Sequence, residues 1–530
     1  MLNGTEILTT AQMRAIESEA MASGEVSGSQ LMERAGAAVA GQIRLRWPRP
    51  GRATVLCGPG NNGGDGYVIA RLLHLAGWQV RVLGLDNSPG PDAADMKRMW
   101  SALGPILPLT GTELRQRGDD SDVYVDAIFG TGLTRPPETE IAAILHYLGG
   151  GGGDWPFFRK RLVAVDCPSG LCMDSGAFLG HARNPGDYDL HARLTVGFDS
   201  PKPGHLLGRG PECCGELVIA DIGLQHWREC SAPRLAAIWP EFDIPDMRRR
   251  DDTQKRAEWL TKRNAPADHK FGHGHALVIA GGIGHGGAAR LAARAALRVG
   301  AGLVTLAPPK SALIEHSGPP DALMRRGIDD AAGLTAVLED PRITAICLGP
   351  GCGIDRAGAL LPAVLASKRA CVLDADALTA LAAQGFGGLH GNCVLTPHAG
   401  EFARLFPDLA ERLAGPCPSG PAFSRLDAAR EAAARCGAVL LLKGPDTVIA
   451  APDGRAVIHS AFDVPWLATA GSGDVLSGLI AGLLARALPA SDAAATGALL
   501  HARSARLFGP GLIADDLPER IPAVLRDISA

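Results

Sequence analysis

Asp474 stands where a glycine-rich run meets a helical pattern, in Ala470-Gly471-Ser472-Gly473-Asp474 followed by apolar residues from Val475. Backbone N–H groups at such a helix start, with the helix dipole behind them, bind phosphate. An aspartate beside that anion hole is poised to take a proton from a substrate hydroxyl while the hole stabilises a transferring phosphoryl group. The alternative is a first-turn helix charge, worth ~0.3–1 kcal/mol. Lys443-Gly444-Pro445-Asp446-Thr447, between two apolar runs, either reaches a nucleotide or is a solvated turn. His398, in Thr396-Pro397-His398-Ala399-Gly400-Glu401, is a site residue or a packed or capping histidine.

Three polar strand ends in the first half offer different chemistry. Gly58-Pro59-Gly60-Asn61-Asn62-Gly63-Gly64-Asp65-Gly66 matches G-x-G-x-x-G at 58, 60 and 63, and Asp86 ends the next apolar run, the spacing of a dinucleotide fingerprint. Its two asparagines and its aspartate are polar groups that a dehydrogenase phosphate turn does not need. The alternative is a tight strand-to-helix turn capped by Asp65. No Lys-Ser/Thr follows, so it is not a P-loop. The other two ends are Asp126-Ala127-Ile128-Phe129-Gly130-Thr131-Gly132 and Asp166-Cys167-Pro168-Ser169-Gly170. Either alone reads as a helix cap, but three in one sheet converge on one crevice. Asn62, Asp126 and Ser169 supply hard oxygen ligands, suited to an alkali or alkaline-earth cation rather than to zinc. Gly281 to Gly287 repeats the glycine spacing at 282, 284 and 287. The next strand there ends in Ala307-Pro308, with no acid for a ribose, so the dehydrogenase reading fails.

The elements that must position these residues follow from short apolar runs, each ending in glycine, proline or acid. In the first half they are 53–60, 79–86, 122–130, 161–170, 193–198 and 215–224, with helical patterns at 67–75 and 140–148. In the second they are 275–282, 302–309, 343–351, 369–378, 392–401 and 438–451, with helices at 288–299, 424–434 and 475–488. Apolar strands alternating with helices predict a parallel sheet covered on both faces. A mixed-charge, proline-containing stretch from Pro233 to Arg263 reads as a linker or domain edge. Two α/β domains in tandem are expected, over 1–228 and 233–530. Gly149–Gly153 reads as a flexible surface loop.

Composition bounds the function. Apolar residues make up 46% and charged residues 20%, as in a soluble globular protein. The 67 glycines among 530 residues exceed an ordinary share, and turns and phosphate-approach loops account for them. A net charge of -4 and 5% aromatic residues give no basis for nucleic-acid binding. No run nears the ~18 apolar residues of a membrane span, and MLNGTEILTTAQMRAIESEAM lacks the basic and apolar regions of a secretory signal. The 12 cysteines include no C-x-x-C pair and read as buried reduced thiols, so the expected location is cytoplasmic.

These residues carry a resemblance. The first half resembles the NAD(P)H-hydrate epimerase family, through LMERAG at 31–36, GPGNNGGDG, DAIFGTGL and VDCPSG. The second resembles the ADP/ATP-dependent NAD(P)H-hydrate dehydratase family, through the glycine turn up to Ala288, GPGCG at 349–353, DADAL at 374–378, TPHAGE, KGPDT and AGSGDVLSG. The order is that of fused bifunctional repair enzymes. The resemblance implies a Rossmann-like three-layer sandwich followed by a ribokinase-like α/β domain. It implies that Asn61, Asn62, Gly63, Gly64 and Asp65 line the hydrate together with Gly130, Thr131, Gly132, Leu133, Thr134, Arg135 and Pro136, with Asp166 at the reacting ring. It implies a K+ ion on Asn62, Asp126 and Ser169. In the second half it places Ala288, Gly351, His398 and Asp474 on the hydrate, with Asp474 activating the hydroxyl for phosphorylation. Lys443, Gly444, Pro445, Asp446 and Thr447, with Gly471, Ser472 and Gly473, would hold ADP or ATP, accompanied by Mg2+. The substrates implied are the hydrates of NADH and NADPH, with no nucleic-acid or membrane partner, and a homo-oligomer is expected. Asp463-Val464-Pro465-Trp466 departs from an Asn-Pro-Gly-like run common in the family before the anion hole.

Two other readings compete with a repair enzyme. One is a small-molecule kinase, fused to a dinucleotide-binding domain, that leaves its phosphate on the product. The other is a scaffold whose first half has lost its chemistry, against which the joint presence of Asp126, Asp166 and Ser169 speaks.

Overall fold

A computed structural model describes residues 6–85, 90–116, 121–151, 155–180, 190–228, 235–237, 260–262 and 269–529. The chain divides into two compact units. Met1–Arg234, Pro240–Arg248 and Ala414–Ser424 form the first; Leu235–Trp239, Arg249–Leu413 and Arg425–Ala530 form the second. Asp86 and most of the stretch 233–263 lie outside the described residues.

The first unit is built on a seven-stranded sheet. Its order is Ile106–Pro108, Gln79–Gly84, Arg52–Cys57, Val123–Ala127, Leu162–Val165, Leu194–Phe198 and Glu216–Ala220, parallel throughout. Its middle strands are buried end to end, which is why they read as mostly apolar runs, with Asp126 and Thr195 the buried polar exceptions. Winding reverses between Arg52–Cys57 and Val123–Ala127, so a crevice opens at their carboxyl ends. The helix Asn61–Leu75 leaves that crevice six residues earlier than the sequence pattern suggests. Asn62 to Asp65 are therefore its first turn, and Asp65 is a buried helical residue rather than a cap. Glycine permits this start, because a Cβ on Gly63 would lie 2.0 Å from the Gly58 carbonyl oxygen. Of Gly149–Gly153, expected in a loop, Gly149–Gly151 fall in the π-helical turn Tyr147–Gly151, where Gly150 departs from helical geometry at φ 105°, and 152–153 lie outside the described residues. Residues 414–424 pack within this unit: the Gly420 N–H donates to the Thr134 carbonyl, and Cys417 and Ala422 join Cys172 and Leu179 in a small core.

The second unit's sheet runs Leu235–Ala237, Ala456–Ser460, Asp446–Ala450, Val439–Leu442, Cys393–Leu395, Ala370–Leu373, Ala345–Leu348, His275–Ile279, Leu303–Ala307 and Met324–Arg325. It is not wholly parallel. The run 438–451 is a hairpin, and Asp446–Ala450 pairs antiparallel with both neighbours. Winding reverses between His275–Ile279 and Ala345–Leu348. The helices Gly286–Arg298 and Ser472–Ala485 pack closely because small residues face each other: a Cβ on Gly478 would lie 2.1 Å from the Ala292 carbonyl oxygen.

Candidate active sites

In the first unit the three polar strand ends do meet. Asp126, fully buried, accepts the Ser169 hydroxyl at 2.6 Å and the Ser169 N–H at 2.7 Å. Burial pushes its carboxyl up to about 6 against those bonds and one from the Ile128 N–H. Oriented to satisfy both ends, the Asn62 amide donates to the Val165 carbonyl and accepts from the Gly130 N–H, each at 3.3 Å. The Thr131 N–H donates to Asp166 Oδ2 at 3.2 Å. The start of the 130–136 turn is thus pinned to both Asn62 and Asp166. Leu133 and Thr134 face the 414–424 segment, and Arg135 is exposed.

Asp166 is held in a strained posture. Its φ is 63°, in the left-handed region that L residues avoid, and such strain concentrates at functional sites. Its Oδ1 is buried without a hydrogen-bond partner, 3.6 Å from Lys202 Nζ. Lys202 is almost fully buried and donates to the Phe198 and Ser200 carbonyls at 2.8 and 2.9 Å. His205 bridges the two: its Nδ1 accepts the Lys202 N–H at 3.0 Å and its Nε2 donates to the Asp166 carbonyl at 2.9 Å. Burial and the Lys202 charge lower its pKa to about 4, so the imidazole is neutral. Asp65 and Glu17 complete the cluster, both pushed up by burial; Asp166 adds to each rise. Sequence reading missed Lys202, His205 and Glu17. A lysine between prolines just past an apolar strand, Pro201-Lys202-Pro203, was the available signal.

In the second unit Gly471, at φ 87°, opens the helix that carries Asp474 in its first turn. Burial, then the Asp374 charge, pushes the Asp474 carboxyl up to about 6, opposed by Lys443. Lys443 Nζ sits 2.8 Å from Asp374 Oδ1 and 3.7 Å from Glu401. Burial works against its charge, but Asp374 and Glu401 outweigh it and raise the lysine's pKa. A Cβ on Gly473 would lie 3.5 Å from that Nζ, so Lys443 reaches the start of the helix that carries Asp474. Ser477, one turn after Asp474, donates to Asp374 Oδ2 at 2.6 Å. Asp446 is paired with Arg425 at 3.0 Å, and the Thr447 hydroxyl donates to the Gly444 carbonyl at 2.7 Å. His501 Nε2 donates to the Ser472 carbonyl at 2.9 Å; burial lowers its pKa to about 4 and keeps it neutral. Asp374 and Ser477 lie inside motifs read from the sequence, but their roles emerge only from these pairings.

The remaining expected residues fall at the same sheet edge. Ala288 and Gly351 are neighbours, with 3.2 Å between the Ala288 Cβ and a Cβ placed on Gly351. His398 caps the helix Ala399–Leu405, its Nδ1 accepting the Gly400 and Glu401 N–H groups. Its side chain is 59% exposed, so capping leaves it open to a ligand. The glycine turn 281–287 is no phosphate loop. The Gly284 and Gly286 N–H groups already donate to the Glu315 carboxylate, at 2.7 and 3.1 Å.

Comparisons with known proteins agree in order along the chain. Residues 28–204 match the family described as YjeF-related protein N-terminus, and residues 276–522 match NAD(P)H-hydrate dehydratase. A bifunctional NAD(P)H-hydrate repair enzyme of Moorella thermoacetica is 34% identical over 98% of this chain and 97% of its own. The Coxiella burnetii enzyme of the same name is 35% identical over 97% and 98%. That of Escherichia coli is 33% identical over 92% and 88%.

Proposed function

Because the chain belongs to the family of bifunctional NAD(P)H-hydrate repair enzymes, we propose that its first unit interconverts the R and S epimers of hydrated NADH and NADPH, and that its second dehydrates the S epimer at the expense of ADP or ATP. The observation that carries this reading is Asp474. It is a half-buried carboxyl with a proton affinity raised to about 6, in the first turn of a helix whose N-terminal N–H groups and Lys443 form an anion site.

In the second unit, ionised Asp474 takes the proton of the hydrate's hydroxyl. The freed oxygen attacks the terminal phosphoryl group of the nucleotide, releasing AMP from ADP or ADP from ATP. The N–H groups at Gly471 to Gly473 and the Lys443 ammonium stabilise the charge in transfer. The carbon–oxygen bond of the phosphate ester then breaks, inorganic phosphate leaves, and loss of a ring proton restores the dihydronicotinamide. Asp374 is engaged by Lys443 and Ser477, and Asp376 accepts the Gly353 N–H at 2.8 Å. Mg2+ would therefore arrive on the phosphates, which supply its usual ligands.

In the first unit, inverting a hydroxyl-bearing carbon requires a bond there to break and re-form. A proton must be given to the departing oxygen and taken back on the other face. We assign this to Asp166, whose Oδ1 accepts no hydrogen bond and lies 3.6 Å from the Lys202 ammonium. The donor set suits K+: the Asp126 carboxylate with the Ser169 hydroxyl bonded to it, and the Asn62 amide on the neighbouring strand ends, all hard oxygens with a single charge to balance. Bound K+ would compensate the buried Asp126 charge. Asn62, Asp126 and Ser169 would hold it, and Asn62 would hold the 130–136 turn in turn.

Every cysteine among the described residues is a buried thiol outside any disulfide, which supports the reduced, cytoplasmic setting of this reading. No helix among the described residues is long and apolar enough to cross a membrane. A homo-oligomer acting on small molecules remains part of the proposal. The test is incubation of the protein with hydrated NADH and ADP or ATP while following recovery of dihydronicotinamide absorbance. Phosphate retained on a stable product, instead of inorganic phosphate, would make the second unit a kinase.

A further inference from the structure

The segment joining the strand Ala456–Ser460 to the helix Ser472–Ala485 is fastened at both ends to parts of the proposed nucleotide site. At its start the Ala461 N–H donates to the Pro445 carbonyl at 2.7 Å, tying it to the Lys443–Thr447 turn. At its end the Ser472 hydroxyl donates to the Leu467 carbonyl at 2.8 Å, tying it to the anion hole. Between these ties Val464 is buried, Asp463 forms a two-nitrogen pair with Arg506, and Pro465–Leu467 make one 3-10 turn. A segment fastened this often presents its remaining side chains in fixed directions.

One of them is Trp466, 48% exposed within that turn. Tryptophan is the largest apolar side chain and normally buries most of its surface, so a half-exposed indole on a segment tied at both ends to the proposed nucleotide site has a face free for a ligand. It is also the residue by which Asp463-Val464-Pro465-Trp466 ends its departure from the family's run.

We propose that Trp466 is the base-stacking platform of the nucleotide site, laying its indole face against the purine of ADP or ATP. The inference rests on the nucleotide reading given above. The phosphates occupy one end of the bridging segment, at Gly471 to Gly473 beside Lys443, and the ribose and base extend along the segment toward Pro445. Stacking needs no hydrogen-bond readout, because every base has a π face. Trp466 therefore contributes affinity for the nucleoside end without deciding between di- and triphosphate. Stacked on the base rather than on the reacting phosphoryl group, it contributes to binding uniformly in ground and transition states.

The test uses the full chain as wild type, Trp466→Ala and Trp466→Phe, titrated with ADP by calorimetry and by tryptophan fluorescence. ADP should quench part of the wild-type emission, and that part should be missing in both variants. Affinity should fall roughly 5- to 150-fold in Trp466→Ala, the range of one base–aromatic stack, and far less in Trp466→Phe, which keeps a π face. The KM for ADP should rise in Trp466→Ala while kcat at saturating ADP stays within about twofold. Ribose 5-phosphate, a phosphate without a base, should bind all three proteins alike. Equal ADP affinity in Trp466→Ala and wild type overturns the proposal. Loss of self-association with ADP affinity intact also overturns it, assigning the indole to an interface between copies. A wild-type protein that binds no ADP at all is a different result, because it removes the nucleotide reading itself.

Discussion

Lys443 and Asp374, held 2.8 Å apart from the ends of two different strands, form the buried ion pair against which Asp474 is poised. Ser477 fixes the other Asp374 oxygen. The pair thus sets the local field at the proposed base without touching the expected hydroxyl.

Replacing Asp374 by Asn should have two separable effects. Lys443 is left buried with a weaker partner, so stability should drop by about 2 kcal/mol, read by denaturant unfolding. The negative charge that helps hold Asp474 protonated is also gone. The acid limb of dehydration should therefore move to lower pH. An unmoved limb would show that Asp374 is only structural.

The wild-type pH profile follows from the Asp474 carboxyl at about 6. A base must be ionised to accept a proton, and a raised acid is ionised only above its pKa. Dehydration kcat/KM should be level above that value and fall about tenfold per pH unit below it. A profile flat down to pH 4.5 would rule out this carboxyl as the base, since roughly one unit below its pKa nine-tenths of it is protonated.

Asp474→Asn should lose dehydration by at least ~10²–10⁴-fold while the helix terminus, and with it nucleotide binding, is kept. Epimerisation by the first unit should be unchanged. Near-normal dehydration in this variant would remove Asp474 from the mechanism.

Asp166→Asn should stop epimerisation and leave dehydration intact. Given both epimers, that protein should consume one quickly and then stall, because a pocket built for one hydroxyl misplaces the other by about 1 Å or more, enough to cost ~10²-fold. Chiral chromatography of the residual hydrate reads the result. Equal consumption of both epimers would show that the first unit does not act through Asp166.

K+ should raise the melting temperature of the first unit relative to choline, since a ligand bound only to the folded state stabilises it by up to ~2.7 kcal/mol at a hundredfold excess over Kd. Asp126→Asn should abolish that increment. A K+ effect that survives in the variant would place the cation elsewhere.

We propose 1–228 and 233–530 as separately folding domains, and cutting between them tests it. Each fragment should keep one activity. The 1–228 fragment lacks residues 414–424, so Cys172 and Leu179 lose the partners Cys417 and Ala422. It should therefore melt lower than the same unit in the full chain. Insolubility of both fragments would indicate a shared core.

The sequence by itself determined the buried central strands and the glycine-bearing turns, because each depends on neighbours in the chain; the short or edge-lying strands Ile106–Pro108, Met324–Arg325 and Ala456–Ser460 carry too little apolar pattern to be read. A parallel strand buried on both faces must be apolar nearly throughout, as around Val163 and Val125, with Asp126 the polar exception that must find partners, and a helix start open to a phosphate must have small residues where Gly471 and Gly473 stand. The meeting of the three polar strand ends, with Asp126 on Ser169 and Asn62 on Gly130, was legible for the same reason: parallel winding carries all strand ends to one edge. Pairings across the sheet were not legible. Lys443 finds Asp374 at 69 positions' separation, Lys202 lies beside Asp166, and Glu315 accepts the N–H groups of the glycine turn whose dinucleotide reading the sequence had already ruled out. Those contacts depend on strand order and on how far each turn reaches, and side-chain type encodes neither. A buried charge must find a partner, but only the tertiary structure decides which of many it is given.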